Sequence, residues 1–98
     1  LIVEQKITIS YDDDPDKVIL IILNEINKNP EVVSDPDVQI GIENFSDYGL
    51  ELGIRYWIPT RAYFQLKYVI NKSIYSALRA ENISLPYPRQ TVHIEQTS

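Results

Sequence analysis

The sequence predicts an α+β domain of the ferredoxin-like kind, a βαββα(β) sandwich whose helices cover one side of an antiparallel sheet. Four segments alternate apolar and polar residues, as strands with one buried face do, and two longer segments repeat apolar residues three and four positions apart, as amphipathic helices do. Their order is strand, helix, strand, strand, helix, strand. At 98 residues and 44% hydrophobic content, the chain suffices for one such domain.

The first strand is predicted over Lys6–Tyr11, where apolar and polar residues alternate, and it continues back to Val3. Asp14 then offers the side-chain oxygen of a helix N-cap, and Pro15 suits the first helical position. The helix is expected to end near Asn29, because a proline follows.

The first helix carries more apolar residues than one buried face needs. Its main stripe consists of Val18, Ile19, Ile22, Leu23 and Ile26. That spacing is wide enough to cover a sheet. Leu20 and Ile21 fall outside the stripe. Either the helix is buried on more than one side, or Leu20 and Ile21 contact another chain, so both are candidate interface residues.

The next two strands are expected to pair as a hairpin. Val38–Ile42 and Leu50–Ile58 both alternate apolar and polar residues, and Phe45–Gly49 between them is typical of a turn. Thr60 is a candidate cap for the helix that follows, which is predicted over Ala62–Glu81.

The second helix has two apolar faces. The predicted core face consists of Tyr63, Leu66, Ile70, Ile74, Ala77 and Leu78. Phe64, Tyr68 and Tyr75 lie on the other side, where a solvated helix normally carries charged residues. Because aromatic residues are enriched at protein interfaces, these three are also candidate interface residues.

A stiff segment with two prolines follows this helix. Pro86 and Pro88 fix their own backbones and push the residues before them out of the helical region, which predicts an extended arm. Thr91–Gln96 then has the alternation of a short strand. We therefore divide the chain into a domain, residues 1–85, and an arm with a terminal strand, residues 86–98. The residues assigned to the arm are Leu85, Pro86, Tyr87, Pro88, Arg89, Val92 and Ile94.

Composition excludes several classes of function. The formal charge of −5 and the pI of about 4.7 argue against a nucleic-acid partner, because phosphate binding depends on clustered basic residues. The absence of cysteine removes disulfides and thiolate chemistry. The longest apolar run, Val18–Leu23, is far shorter than the roughly 20 residues of a membrane span. Since the chain starts at Leu1 without a signal-peptide pattern, we expect it to be a fragment of a longer protein.

No catalytic, cofactor-binding or metal-binding residue is assigned, because each candidate has a simpler interpretation. Asp12–Asp14 with Asp16 would suit a hard cation, but the run lacks the glycine and distal glutamate of a calcium loop, and Asp14 is explained as a helix cap. His93 would suit a base or a pH switch. No nucleophile lies near it in sequence, so an ordinary strand residue is favoured.

Two further alternatives are also weaker than the structural interpretation. Arg55 and Arg89 would suit an anion, but no glycine-rich cradle accompanies them, which favours solvation at a sheet edge or an interface salt bridge. Trp57 and the exposed tyrosines would suit base stacking, but the chain has no Lys/Arg-Gly-aromatic run and is acidic.

The proline arm resembles a segment of a known family. Asn82–Ile94 reads Asn-Ile-Ser-Leu-Pro-Tyr-Pro-Arg-Gln-Thr-Val-His-Ile. It is similar to the segment near the end of small-conductance mechanosensitive channels, the MscS family, which usually reads Gly-Ile-x-(Ile/Phe)-Pro-(Phe/Tyr)-Pro-Gln-x-x-Val-x-(Ile/Phe). Asn82 replaces the usual glycine, which is a mild change because asparagine tolerates the left-handed conformation that ends a helix. Arg89 and Gln90 replace a usual Gln-Arg.

Other parts of the chain resemble the same family. Val3–Val18 is similar to its strand leading into a Tyr-Asp-x-Asp turn and a helix, and Gly49–Ile58 to its third strand with an Arg-x-Trp-like element. Tyr63 and Phe64 are similar to an aromatic pair that opens its last helix.

The resemblance implies a non-enzymatic role without a cofactor, as the soluble cytoplasmic cage of an inner-membrane channel that opens under membrane tension in hypo-osmotic shock. Subunits of this family form homo-heptamers, inorganic ions enter the cage through side portals, and the last strands pair into a β-barrel. Membrane contact would come only from upstream helices that this chain lacks. Acidic portal residues would favour cations. The candidates are Asp12, Asp13, Asp35, Asp37 and Asp47.

Two other functions fit a ferredoxin-like domain. The first is a regulatory domain that binds a small molecule between paired sheets or helices, for which a ligand would raise the melting temperature. The second is an enzyme of the acylphosphatase type, for which a phosphatase assay is the direct test.

Overall fold

The sheet is built around one central strand. The computed structural model describes residues 1–86, in which β1 (Ile2–Ile9) and β2 (Gln39–Phe45) pair with opposite sides of β3 (Leu50–Trp57). Both pairings are antiparallel, so β1 and β2 run parallel to each other with β3 between them. This is the split βαβ arrangement of a ferredoxin-like domain, and it confirms the predicted α+β class and the hairpin. The fate of the last predicted strand lies outside the described residues.

Two helices cover one face of this sheet and contact each other. α1 spans Pro15–Asn27 and lies against β2, whereas α2 spans Tyr63–Ala80 and follows a short 3-10 turn, Thr60–Ala62. Thr60 was predicted to cap α2, but it opens the 3-10 turn instead, and the side chain at the α2 N-cap position, Ala62, makes no capping bond.

The core lies between the helices and the sheet. Every second residue of β3 is buried there, because alternate side chains of a strand point to the same face. Leu52, Ile54 and Tyr56 are fully buried. The helices contribute residues three and four positions apart, namely Val18, Ile22, Ile26, Ile70, Ile74 and Leu78. The apolar faces predicted from both periodicities are therefore the faces that meet.

The first strand begins and ends earlier than the alternation predicts. Tyr11 was expected on its buried face, but β1 stops at Ile9 and Tyr11 is exposed. The reason is a turn, in which the Asp13 backbone N–H donates to the Ser10 carbonyl at 3.1 Å and the Ser10 N–H donates to the Asp13 side chain at 3.2 Å. The strand cannot continue once these local bonds form.

The carboxylates after this turn serve the start of α1. Asp14 accepts a hydrogen bond from the Asp16 backbone N–H at 3.0 Å and so is the predicted N-cap, with Pro15 in the first turn. Within residues 1–86, no group of three or more side chains is arranged to hold a metal ion.

Asn82 ends α2 in the manner expected from the sequence. Its φ of 60° is left-handed, its N–H donates to Arg79 O at 3.0 Å, and the Ile83 N–H donates to Leu78 O at 2.9 Å. These two bonds form a Schellman motif, in which Ile83 is buried against the core beside Leu78. The cap turns the chain out of the helix before Pro86.

The turn between β2 and β3 depends on a glycine. A Cβ atom built at Gly49 would lie 2.2 Å from the Ile9 carbonyl oxygen. Because that oxygen belongs to the backbone of β1, it could move only if the strand itself shifted. Ser46 stabilises the turn, because its Oγ accepts a hydrogen bond from the Gly49 N–H at 3.2 Å. Tyr11 joins the two loops, because its hydroxyl donates to Ser46 O at 2.6 Å.

We expect Gly49→Ala to lower the free energy of unfolding by about 1–3 kcal/mol, because the added methyl group forces β1 and the turn apart. Chemical denaturation of the 98-residue chain measures this loss. Gly41→Ala is the matched control, because a Cβ there meets nothing within 4 Å. Equal stability of the two variants would contradict the close approach at Gly49.

The Tyr56 hydroxyl is buried without a hydrogen-bond partner. Burial of the hydroxyl raises the pKa of Tyr56 from 10.0 to about 12, and the nearby Tyr63 makes a smaller contribution in the same direction. The folded state therefore retains a proton that the unfolded state releases above pH 10, so the free energy of unfolding should fall as the pH rises from about 10 towards 12.

Tyr56→Phe should reduce this alkaline loss by removing the contribution of Tyr56, and it should leave stability at neutral pH unchanged or higher, because it removes an unsatisfied polar group. Tyr11→Phe is the matched control, since it removes a satisfied hydroxyl and should cost about 0.5–1 kcal/mol. Denaturation at several pH values compares the two. A neutral-pH loss above about 1 kcal/mol in Tyr56→Phe would show that its hydroxyl does have a partner.

Candidate functional site

One side of the domain combines a free sheet edge with an aromatic helix flank. In the described part of the chain β1 pairs only with β3, so its other edge is open. α2 lies beside this edge, and the Gln5 side chain donates to the Asn71 side chain at 2.6 Å. We call this region the β1-edge surface. Its residues are the open edge of β1 together with Phe64, Tyr68, Tyr75 and Leu85.

The aromatic side chains of the β1-edge surface are largely exposed. Phe64, Tyr68 and Tyr75 keep 65%, 64% and 52% of their surface in contact with solvent. Phe64 and Tyr68, one helical turn apart, have ring centroids 6.2 Å apart, and Tyr63 packs edge-on against Phe64 at 5.1 Å. Such rings offer large apolar area with little side-chain entropy to lose on binding. The structure thus brings together the three aromatic residues predicted as interface residues.

Cations accompany these rings. The Arg79 guanidinium lies 5.7 Å from the centre of the Tyr75 ring and donates to its hydroxyl at 3.1 Å, while the Lys67 ammonium lies 5.7 Å from the centre of the Tyr63 ring. α2 contains three basic residues, Lys67, Lys72 and Arg79, and no acidic residue. The β1-edge surface is therefore both aromatic and positively charged.

The chain leaves the domain along the same surface. Leu85 lines a groove with Ile7 and Lys6 of β1 and with Tyr75 and Leu78 of α2. Leu85 is 43% exposed, and the next residue, Pro86, is half-buried. The remaining arm residues, Tyr87, Pro88, Arg89, Val92 and Ile94, and the histidine His93 lie outside the described residues.

The two candidate interface residues of α1 have different environments. Leu20 is 57% exposed, as an interface residue of a free domain would be. Ile21 is partly buried and packs against the core. For Ile21 the structure agrees with the other explanation given for the extra apolar residues, burial of the helix on more than one side, because α1 packs on α2 as well as on the sheet.

A second exposed apolar region, on β2, does not follow from the sequence pattern. Ile42 and Phe45 of β2 face the helix side of the sheet but are 48% and 72% exposed. Alternation predicted a buried Ile42, yet the two helices do not extend over this end of the edge strand. We call Ile42, Phe45 and the outer edge of β2 the β2-edge surface. Val69 of α2, 57% exposed, was also missed.

The sheet face without helices carries ion pairs. Lys6 contacts Glu43 at 3.0 Å across Gly53, where a Cβ would lie 2.4 Å from the Glu43 carboxylate. The hydrogen bond to Glu43 raises the pKa of Lys6. Arg55 contacts Glu4 at 3.1 Å, so its charge has a partner within the domain, whereas the sequence favoured sheet-edge solvation or an interface salt bridge.

The helices of the described residues include none that is long and apolar enough to cross a membrane.

Comparison with known proteins identifies the family. The model of the C-terminal domain of the mechanosensitive ion channel MscS matches residues 3–85. An uncharacterized MscS family protein of Synechocystis is 32% identical over 90 residues, which is 92% of this chain and 30% of that protein. The small-conductance mechanosensitive channel of Edwardsiella ictaluri is 25% identical over 88 residues, or 90% of this chain and 31% of the channel.

The fold agrees with a solved structure. The closed-state crystal structure of MscS from Helicobacter pylori superimposes with a TM-score of 0.81 at 24% identity, covering 89% of this chain and 35% of that chain. The chain spans about a third of the length of these relatives. Because the family model covers nearly the whole described part, this chain belongs to the MscS family of mechanosensitive ion channels, as a C-terminal domain.

Proposed function

We propose that this domain is the cytoplasmic cage of an inner-membrane channel that opens under membrane tension, with a structural, assembly and ion-filter role. The observation that carries the proposal is the family match over residues 3–85. The family is one of channels, and the core chemistry of the domain agrees with a structural role, since its buried side chains are apolar apart from the Tyr56 hydroxyl. Contact with the membrane belongs to other parts of the channel.

The assembly is a homo-heptamer in which each arm carries its terminal strand away from the domain. Two features of the described residues support this arrangement. The Asn82 cap directs the chain out of α2, and the chain then follows the β1-edge surface without joining the sheet up to Pro86. Residues 86–98 would then supply a strand to a β-barrel shared by the subunits. A closed barrel pairs every strand edge, which a lone terminal strand could not do.

The ion filter consists of acidic side chains on loops of the cage. Asp12, Asp35, Asp37 and Asp47 are exposed, and Asp13 is half-buried in the turn before α1. Carboxylates beside a portal raise the local concentration of cations and repel anions. The substrates of the assembled channel are thus inorganic ions.

A graft into a relative tests the assembly. The matching C-terminal part of the Edwardsiella ictaluri channel is replaced by residues 3–98 of this chain. We expect pressure-activated currents in membrane patches and survival of hypo-osmotic shock, because the domain and arm restore the subunit ring.

The control for the graft ends at Leu85 and so lacks the arm and terminal strand. We expect it to lose most assembled channels on native gels while the domain itself remains resistant to proteolysis. Equal assembly with and without the arm would contradict the role of the arm, and a folded full graft that never assembles would contradict the cage function.

Charge reversal tests the ion filter. Changing the portal candidates to lysine in the full graft should shift the reversal potential in a salt gradient towards anion preference, because the local potential changes sign. The five substitutions are Asp12→Lys, Asp13→Lys, Asp35→Lys, Asp37→Lys and Asp47→Lys. Unchanged selectivity in channels that still open would reject the filter role.

A further inference from the structure

We propose that, in a subunit that has not yet assembled, the arm lies along the open edge of its own β1 as a fourth strand. The occupant of this edge is residues 87–90 of the same chain, which directly follow the described residues. This inference rests on the proposed function, because it concerns the arm before the terminal strand enters the shared barrel. It gives a lone subunit a cover for its unpaired strand edge.

The open edge of β1 offers hydrogen-bonding groups to a further strand. β1 pairs with β3 along Ile2–Ile9, and in the described part of the chain no strand pairs with its other edge. Alternate residues of an antiparallel strand direct their N–H and C=O groups away from the paired side. Such an edge promotes pairing with other chains, so native proteins cover or block it. A free subunit therefore benefits from a segment that occupies this edge.

The chain has already reached this edge where the described residues end. Leu85 lines a groove with Ile7 of β1 and Leu78 of α2, and Pro86 is half-buried. Four extended residues span about 13 Å, which is also the length of β1 from Ile7 back to Val3. Residues 87–90 are therefore long enough to follow β1 along most of its open edge.

The pairing would repeat a connection that the fold already contains. α1 joins β1 to β2, which run parallel to each other with β3 between them. α2 starts near the end of β3 and returns the chain to Ile7, which pairs with Leu52 near the start of β3. An arm antiparallel to β1 would then run parallel to β3, with β1 between them. The domain would contain two split βαβ units, in the strand order arm-β1-β3-β2.

The two prolines of the arm suit an outermost strand. Pro86 and Pro88 have no N–H group, and residues two apart in a strand direct their backbone nitrogens to the same side. When that side faces solvent, the N–H groups of Tyr87 and Arg89 face β1. The outer side then lacks two donors, which hinders the addition of a further strand. The same spacing thus permits pairing with β1 and blocks growth of the sheet.

The side chains of the arm would also cover the aromatic flank of α2. Leu85, Tyr87 and Arg89 lie on one face of an extended chain, because side chains alternate. Leu85 lines the groove with Tyr75 of α2, so this face is the helix side of the sheet. Tyr87 would therefore lie towards the largely exposed ring of Tyr68. Aromatic rings pair favourably, so the exposed flank gains a partner within the same chain.

Amide hydrogen exchange in the 98-residue chain tests the pairing. The chain is measured at a concentration at which sedimentation shows a monomer, beside a shortened chain that ends at Leu85. We expect the β1 amides that do not bond to β3 to exchange at least about tenfold more slowly in the longer chain, because they then bond to the arm. The amides of β2, which the arm does not reach, should exchange equally in both chains.

Two proline substitutions form a matched pair. Arg89→Pro removes an N–H that faces β1, so the β1 amides should return to the fast exchange of the shortened chain. Gln90→Pro removes an N–H on the same side as the missing donors of Pro86 and Pro88, so exchange should remain slow. Slow exchange of the central strand β3 in both variants reports that the domain is folded.

Three outcomes would overturn the proposal: equal exchange of β1 in the full and shortened chains, equal exchange of β1 in the two proline variants, or protection of β1 that appears only as the concentration rises. The last outcome would indicate that a second copy occupies the edge. The graft experiment is separate, because its currents and arm dependence report on the assembled channel. Failure of the pairing would leave those results unchanged, and a graft without currents would leave the exchange of the free chain unchanged.

Discussion

The fold depends on the burial of one face of β3. Its alternate residues Leu50, Leu52 and Ile54 are buried on the helix side and paired with both neighbouring strands, and Tyr56 is buried on the same side and paired with β1. Because β3 is central, it is the only strand of the described sheet whose two edges are both paired. β1 and β2 pair with it directly, and both helices contribute side chains to the core on its buried face. Close packing also explains the local requirements, such as the absence of a side chain at Gly49 where the turn passes Ile9.

The two edges that flank β3 are unequal, and this inequality connects the fold with assembly. On the β1 side, exposed aromatic rings and cations of α2 border an open strand edge and the exit of the chain at Leu85. On the β2 side, Ile42 and Phe45 are exposed, and the segment that contains β2 is acidic in sequence. A small domain that functioned alone would gain little from keeping rings such as Phe64 in water. In the proposed ring of copies, such surfaces would be available for contact between subunits.

The sheet face without helices has a different character. Its ion pairs, Lys6 with Glu43 and Arg55 with Glu4, are solvent-exposed and contribute little to stability. They do keep this face polar, with Gly53 leaving room for the Glu43 side chain. The domain therefore presents polar surface on the sheet face without helices and apolar side chains at its two edges.

The sequence alone determined the element order, the hairpin, the Asp14 cap, the left-handed end of α2 at Asn82 and the aromatic flank of α2. These features follow from local spacing, from the backbone preferences of single residues, or from the resemblance of the proline arm to a channel family. Local patterns cannot report which neighbour covers a side chain. Only the tertiary structure therefore decided that Ile21 packs inward while Ile42 and Phe45 stay exposed, because burial depends on how far the helix layer extends over the sheet.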